Sequence, residues 1–233
     1  MFNIHFKAIA QAAAVDRGTL CCDGSYQLAR DKRRLSRQQT VGRCAAFATY
    51  DRRVAEYPEW VYYPVRTRPP AWVNQFVGVV RTAQATVGSM SVSGLTSDRV
   101  LSELRPGLEV LGYRVEAGKL KNQRIHLPVL FGDQGRERVA WEVDAVHDEL
   151  GIVVEIEAGR GARGNALYRD LIRASLLVDV RYLVLGLMLS YRHKSAGRDV
   201  DVASYREGRE VLDAVYASGR LALPFEGILL FGY

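Results

Sequence analysis

Apolar residues after position 70 follow two different periods. Helical spacing recurs in four segments, over residues 72–87, 96–111, 165–178 and 201–218. Short extended or β-branched segments, typical of strands, lie at residues 113–117, 139–147, 151–156, 182–188 and 227–231. The order from residue 96 is therefore helix, three strands, helix, strand, helix, strand, which predicts an α/β domain with a mixed central sheet flanked by helices.

Proline, glycine and capping residues indicate where these elements end. Pro106-Gly107 predicts a kink or break in the second helix, because proline cannot donate a backbone hydrogen bond. Residues 148–151 predict a hairpin turn between the second and third strands. Asn165 is in position to cap the helix that follows the third strand.

The first 70 residues have a different character. Residues 59–72 are rich in aromatic residues and proline, which disfavours a helix and indicates an extended connector. Residues 30–37 form a basic cluster that could contact phosphates or form a solvated helix face. We therefore predict a basic N-terminal segment over residues 1–70, accessory or partly disordered, and one larger α/β domain over residues 71–233.

The excess positive charge is confined to that first segment. Residues 1–68 carry twelve Lys and Arg against six Asp and Glu, whereas residues 69–233 carry twenty of each sign. The chain is otherwise ordinary, with 48% hydrophobic and 25% charged residues, which excludes collagen, a disulfide scaffold and a wholly disordered chain. Arginine accounts for 27 of the 32 basic residues, which suits phosphate contacts and is equally explained by a GC-rich genome.

Several classes of site have no counterpart in the sequence. Cys21, Cys22 and Cys44 show no metal-ligand spacing, and no P-loop, GxGxxG, HExxH or GxSxG motif occurs. No apolar run approaches the ~20 residues of a membrane span, and the mildly apolar first residues are short for a signal peptide. We therefore expect a cytoplasmic protein that does not span a membrane.

Three acidic residues are predicted to meet at one edge of the sheet. Glu155 and Glu157 lie at the end of the third strand, and because side chains alternate along a strand, both project to the same face. The hairpin turn brings Asp144, on the second strand, alongside them. An isolated Glu-x-Glu pair is usually a solvated strand end, but the strand context and the basic helix that follows favour a functional site.

Carboxylates this close raise one another's pKa unless a cation offsets their charge. A hard divalent cation is the natural partner, since Mg²⁺ takes one or two carboxylates together with water and phosphate oxygens. The Gly-rich loop after the strand carries Arg160 and Arg163 and leads into a helix, whose N-terminus favours an anion. The pattern therefore indicates a site for Mg²⁺ and a phosphate.

Asp144, ten intervening residues and Glu155-Ile156-Glu157 on a buried strand resemble the PD-(D/E)xK nuclease superfamily, and the order of elements over residues 96–190 is similar to its core. The resemblance implies a restriction-endonuclease-like fold, with residues 71–233 as the nuclease domain of a Mg²⁺-dependent endonuclease and Mn²⁺ as an alternative ion. It further implies that double-stranded DNA is the substrate and that the enzyme acts as a homodimer. It makes Asp144 and Glu155 metal ligands and aligns Glu157 with the lysine that orients or activates the attacking water.

The sequence departs from the family's motif at two positions. Val143 stands where the motif has proline, a position that varies widely. Glu157 replaces the lysine, as in a minority branch of type II restriction endonucleases, where this glutamate is thought to act as a base or a further metal ligand. We therefore assign Asp144, Glu155 and Glu157 to the metal, and we expect Arg160 to supply the missing positive charge.

Further residues are predicted to contact the nucleic acid or the metal. Arg160, Arg163, Asn165, Arg169 and Arg173 are the candidate contacts to the phosphate backbone, although Arg169 and Arg173, one turn apart, suit a solvated helix face equally well. The resemblance also implies an acidic residue on the helix before the first strand. Glu103 and Glu109 are the candidates for that position.

Two other functions stay open. The first is a non-catalytic nucleic-acid-binding module with a degenerate nuclease fold, because Glu157 replaces the motif lysine. The second is a protein-interaction domain whose carboxylates are only surface acids. The pattern contains no indication of the base sequence recognised, since base-edge contacts depend on groove geometry.

Overall fold

A computed structural model describes residues 56–159 and 161–233. Over these residues the strands are β1 (Glu59–Tyr63), β2 (Arg114–Val115), β3 (Ile125–Phe131), β4 (Glu137–Val143), β5 (Ala145–His147), β6 (Ile152–Glu157), β7 (Tyr182–Leu187), β8 (Tyr191–Ser195), β9 (Arg198–Val202) and β10 (Gly227–Gly232). The helices are α1 (Ala71–Thr82), α2 (Gln84–Val87), α3 (Ser97–Val110), α4 (Ala166–Ala174) and α5 (Ser204–Ser218).

Six of the strands form a central mixed sheet in the order β1-β10-β7-β6-β5-β2. The three inner strands β10, β7 and β6 run parallel, whereas β1, β5 and β2 each pair antiparallel with their neighbours. The inner strands are almost continuously apolar, as expected of strands buried on both faces. The predicted mixed α/β architecture, with helices on either side of the sheet, is confirmed.

Helices cover both faces of this sheet. The buried residues of α1 and α3 form one apolar cluster with Ile152, Val154 and Ile156 of β6. The buried residues of α4 and α5 form a second cluster, which includes Val153 of the same strand. Because side chains alternate along β6, Glu155 lies on the same side as Val153, toward α4.

The helix α3 continues through Pro106, so of the predicted kink or break at Pro106-Gly107 the break does not occur. Leu104 and Leu108, on either side of the proline, are fully buried and hold the helix against the core. At Gly107 a β-carbon would lie 2.6 Å from Val79 Cγ1 of α1. The glycine therefore allows the two helices to approach each other closely at this point.

Two antiparallel hairpins, β3–β4 and β8–β9, stand apart from the central sheet and were not predicted from the sequence. The single strand predicted over residues 139–147 is divided between β4 and β5, which belong to different sheets. Similarly, the helix predicted from residue 201 begins at Ser204, because residues 198–202 pair with β8. The extended conformation predicted over residues 139–147 is therefore found, although in two strands instead of one, whereas the predicted start of the helix at residue 201 is wrong.

The strand β1 lies in the stretch that its prolines led us to interpret as an extended connector. It pairs antiparallel with β10 over its whole length, so the central sheet includes residues before position 71. The basic cluster at residues 30–37 and the three cysteines lie outside the described residues. No helix in the described ranges combines the length and apolar character needed to cross a membrane.

Candidate metal and nucleic-acid site

Asp144 occupies a bend between β4 and β5, at the point where the chain passes from one sheet to the other. Its Oδ2 accepts a hydrogen bond of 2.7 Å from the backbone N–H of Ile156. The pairing of Ala145 with Val154 in the adjoining strands places Asp144 beside the end of β6. Asp144 is thus held next to both glutamates of the Glu155-Ile156-Glu157 motif, as the sequence predicts.

These carboxylates line a cleft of about 240 Å³ between the end of β6 and α4. Its acidic residues are Glu116, Glu142, Asp144, Glu155, Glu157 and Asp170, and its basic residues are Lys119, Arg124, Arg169 and Arg173. The cleft therefore combines the predicted acids with two of the predicted basic residues, together with charged residues that sequence reasoning did not select.

Burial governs the protonation of the two central carboxyls. It raises the pKa of Asp144 to about 7, an effect that the hydrogen bond from Ile156 opposes and the negative charge of Glu116 reinforces. Burial also raises the pKa of Glu155 well above its ordinary value, and the neighbouring charge of Asp144 adds to it. Burial thus disfavours the ionised form of both carboxyls. A bound cation would offset the negative charge that the two groups carry when they ionise.

Glu157 also belongs to a second charged group in the same cleft, with Arg169 and Asp170. Arg169 Nη2 donates to Glu157 Oε1, and Arg169 Nε donates to Asp170 Oδ1 at 3.1 Å. Burial is the main cause that raises the pKa of Glu157, and the charge of Asp170 adds to it. The hydroxyl of the buried Tyr233 donates to the backbone carbonyl of Glu157 at 3.0 Å and fixes the main chain beneath this group.

Asp170 is a cleft residue that the sequence analysis missed. Its side chain is 2% exposed, and its Oδ2 is buried without a hydrogen-bond donor. The neighbouring carboxyl of Glu157 can donate to Asp170 only when Glu157 carries a proton. The signal was present, because Asp170 falls on the helical stripe of the buried Leu167, Leu171 and Ala174.

Glu116, just after β2, is the acid that approaches Asp144 from the edge strand of the central sheet. Its backbone N–H donates to the Asp144 carbonyl at 2.8 Å, and burial is the main cause that raises the pKa of its carboxyl. Its own carbonyl accepts a 2.6 Å hydrogen bond from Arg105 Nη2. Sequence reasoning could not select Glu116, since only the pairing of β2 with β5 brings it to the cleft.

The two acids expected on the helix before the first strand do not reach the cleft. Glu103 lines a different cavity, together with Gln75 and Gly107. Glu109 is exposed on the same helix. The reason is the orientation of α3, whose Leu104 and Leu108 face the sheet and direct the intervening polar residues outward.

Arg173 is the second predicted basic residue found in the cleft. Its Nη2 donates to the Glu142 carbonyl at 3.0 Å, and its guanidinium lies 5.8 Å from the centre of the Trp141 ring. Its positive charge opposes the rise in the pKa of Glu155. The carboxylate of Glu142, which is on β4, is bound by a different arginine. Arg124 Nη1 lies 2.6 and 2.7 Å from its two oxygens.

The loop before α4 holds the remaining predicted residues. Arg160 lies outside the described residues, and of Arg163 only the main chain, in the 3₁₀ turn Gly161–Gly164, is described. Asn165 is exposed and stands at the first position before α4, but in a left-handed conformation (φ 61°) and without a side-chain hydrogen bond to the helix. The expected capping interaction is therefore not formed.

The side chains of the cleft, as they stand, do not form a complete metal cage. Among residues 56–159 and 161–233, no group of three or more His, Cys, Asp or Glu side chains is arranged to hold a metal ion. Mg²⁺ requires only one or two protein carboxylates, the other ligands being water and substrate oxygens. Asp144 and Glu155 satisfy that requirement, and the buried, undonated Oδ2 of Asp170 is a further acceptor in the same cleft.

Comparison with known proteins adds no family to these observations. The sequence matches no protein-family model and no curated protein.

Proposed function

We propose that this protein is a Mg²⁺-dependent endonuclease that hydrolyses phosphodiester bonds of double-stranded DNA. The observation that carries the proposal is the meeting of Asp144, at the bend before β5, and Glu155 of β6 in a cleft that also contains arginines. The mixed central sheet and the order of helices and strands are consistent with the restriction-endonuclease-like core that we propose. Mn²⁺ is the alternative ion, because it accepts the same oxygen ligands.

Asp144 and Glu155 would hold the metal ion, with Glu157 as a third ligand and Glu116 within reach of Asp144. When bound, the ion supplies Lewis-acid polarisation of the phosphodiester and lowers the pKa of water. If Glu157 acts instead as the base and does not bind the ion, its raised pKa makes it a better proton acceptor for the attacking water than an exposed glutamate. The hydrogen bond from Ile156 fixes the orientation of Asp144 throughout.

The basic residues of the cleft would position the DNA backbone. Arg169 and Arg173 lie one helical turn apart on α4 and both line the cleft, which suits contacts to phosphate oxygens. In the hydrolysis, an oxygen of water bonds to phosphorus while the bond from phosphorus to a sugar oxygen breaks. Arginine near the phosphate stabilises the extra negative charge of that transition state. Cutting both strands calls for two such sites, and we propose a homodimer as their source.

The proposal is tested by incubating plasmid DNA with Mg²⁺ and the wild-type protein, Asp144→Asn or Glu155→Gln. We expect nicked or linear DNA with the wild type and a loss of at least ~100-fold with either variant. Arg206→Met, on the surface of α5 and outside the cleft, is the control for substitution as such and should cleave like the wild type. Cleavage that persists in both carboxylate variants would refute the assigned site.

A non-catalytic nucleic-acid-binding module is the second candidate. Glu157 aligns with the lysine of the family's motif, and its carboxylate is already paired with Arg169. This ion pair favours a module in which Glu157 has no catalytic role. This module would retain DNA in a gel-shift assay with Ca²⁺ but release no cleaved product with Mg²⁺ or Mn²⁺. Absence of DNA binding at low salt would instead favour the protein-interaction domain.

A further inference from the structure

Arg169 makes two different contacts to the acidic residues of the cleft. Its Nη2 is bound to the carboxylate of Glu157, which is 22% exposed, and its Nε is bound to Asp170, which is 2% exposed. The arginine side chain itself is 56% exposed. One contact is therefore buried and the other faces the open side of the cleft.

The other basic residues that line the cleft have different partners. Arg124 binds both oxygens of Glu142, and Arg173 binds the Glu142 carbonyl. Lys119 pairs with Asp98, which is on α3. Among the cleft residues that the structure describes, Arg169 is the one whose ion pair is to a carboxylate of the Glu155-Ile156-Glu157 motif.

We infer that the guanidinium of Arg169 and a divalent cation compete for the carboxylate of Glu157, and that the displaced guanidinium then binds a DNA phosphate. The inference rests on the proposed function, since it assigns Glu157 to the metal. A cation that coordinates Glu157 Oε1 approaches the positive guanidinium whose Nη2 binds the same oxygen, and the two like charges repel each other. The bond from Nε to Asp170 keeps the arginine at the cleft, where Nη2, once released from Glu157, can donate to a phosphate oxygen.

This competition couples metal binding to DNA binding. A metal ion that frees Arg169 adds a phosphate contact, and a phosphate that engages Arg169 frees a metal ligand. Each ligand therefore strengthens the binding of the other by the same factor, as linkage requires. Without the arginine the metal loses its competitor, and the DNA loses the contact that depends on the metal.

The test measures binding rather than cleavage. Mn²⁺ alone is titrated into wild type, Arg169→Met, Arg169→Lys and Arg173→Met, and free Mn²⁺ is followed by electron paramagnetic resonance. We expect Arg169→Met to lower the Kd for Mn²⁺ by about two- to fivefold, the range for removing a partly exposed ion pair. Arg169→Lys, which keeps a cation beside Glu157, should stay close to the wild type.

Arg173→Met is the matched control, because it removes an arginine from the same helix and cleft without freeing Glu157. A short fluorescent duplex is then titrated with and without Ca²⁺. Ca²⁺ should strengthen DNA binding less in Arg169→Met than in the wild type or in Arg173→Met. Circular dichroism melts of every variant identify any loss of binding that follows from unfolding.

Equal shifts in the Mn²⁺ Kd for Arg169→Met and Arg173→Met would overturn the inference, since both would then reflect only the lost positive charge. An unchanged or weaker Mn²⁺ affinity in Arg169→Met would overturn it as well. If the wild type cleaves DNA but these affinities do not move, the inference fails and the nuclease stands. If the affinities move as expected but no DNA is cleaved, the competition stands and the nuclease proposal fails.

Discussion

The carboxylate of Asp144 accepts a 2.7 Å hydrogen bond from the backbone N–H of Ile156, the residue between the two glutamates of β6. This bond links the bend between β4 and β5, where the chain passes from the β3–β4 sheet to the central sheet, with β6 of the central sheet. It also leaves the second carboxylate oxygen of Asp144 available to the cleft. This bond therefore holds Asp144 beside the strand that carries Glu155.

The pH dependence of stability follows from the pKa of Asp144. Burial raises this pKa from 3.8 to about 7, so between these pH values the folded chain keeps a proton that the unfolded chain has lost. The free energy of unfolding should therefore fall as pH rises through this window. We expect Asp144→Asn, which keeps an acceptor oxygen for Ile156, to melt ~2–6 °C above the wild type near pH 8 in EDTA.

Thermal melts in EDTA at a series of pH values provide that measurement. At about pH 3 the carboxyl is protonated in the folded state and largely so in the unfolded one, so the wild type and Asp144→Asn should melt at similar temperatures. Addition of Mg²⁺ near pH 8 should raise the Tm of the wild type and leave the variant unchanged. A variant that melts lower than the wild type at high pH would contradict the assigned effect of burial.

The structure places Glu116 in the cleft, whereas the sequence led us to expect Glu103 there, and the two residues can be compared by mutation. We expect Glu116→Gln to reduce Mg²⁺-dependent DNA cleavage by ~10–100-fold, because Glu116 lies beside Asp144 in the cleft. Glu103→Gln should cleave like the wild type, since Glu103 lines another cavity. Initial rates on the same duplex measure both. A larger loss of cleavage in Glu103→Gln than in Glu116→Gln would contradict this assignment and favour Glu103 as the helix acid that the family resemblance implies.

The hydroxyl of Tyr233 supports the main chain beneath the cleft. Removing it in Tyr233→Phe leaves the Glu157 carbonyl without this donor in a buried setting, at a cost of about 1–3 kcal/mol in the free energy of unfolding. Tyr168→Phe, at a side chain that is 45% exposed, should change stability little. Urea denaturation distinguishes them, and equal stability of the two variants would argue against the buried bond.

Gly186 tests the packing of the central sheet. A β-carbon there would lie 2.6 Å from Phe231 Cζ and 2.8 Å from Ile156 Cδ1, both buried on neighbouring strands. We expect Gly186→Ala to destabilise the fold by about 1–3 kcal/mol through overpacking. Gly78→Ala, in α1 with open space around the added methyl group, should instead stabilise by ~0.5–1 kcal/mol. Chemical denaturation of the two alanine variants gives both values.

Local patterns were sufficient for most of the central elements. The apolar β-branched run over residues 151–156 and the turn before it predicted both the strand β6 and its pairing with β5. The same-face projection of Glu155 and Glu157 followed from the period of a strand. The hairpins β3–β4 and β8–β9 were missed, because their strands pair only with each other. The strands β8 and β9 are largely polar, and His126 and Pro128 interrupt the apolar residues of β3.

The sequence by itself determined the α/β class, the buried strand β6 and the proximity of Asp144, Glu155 and Glu157, because hairpin pairing and side-chain alternation are local. Only the tertiary structure decided that Glu116 and Asp170 enter the cleft, that Glu103 does not, and that Arg169 binds Glu157. Those placements depend on which strands share a sheet and which face of a helix is buried. Long-range packing sets both, and no short segment of the chain encodes it alone.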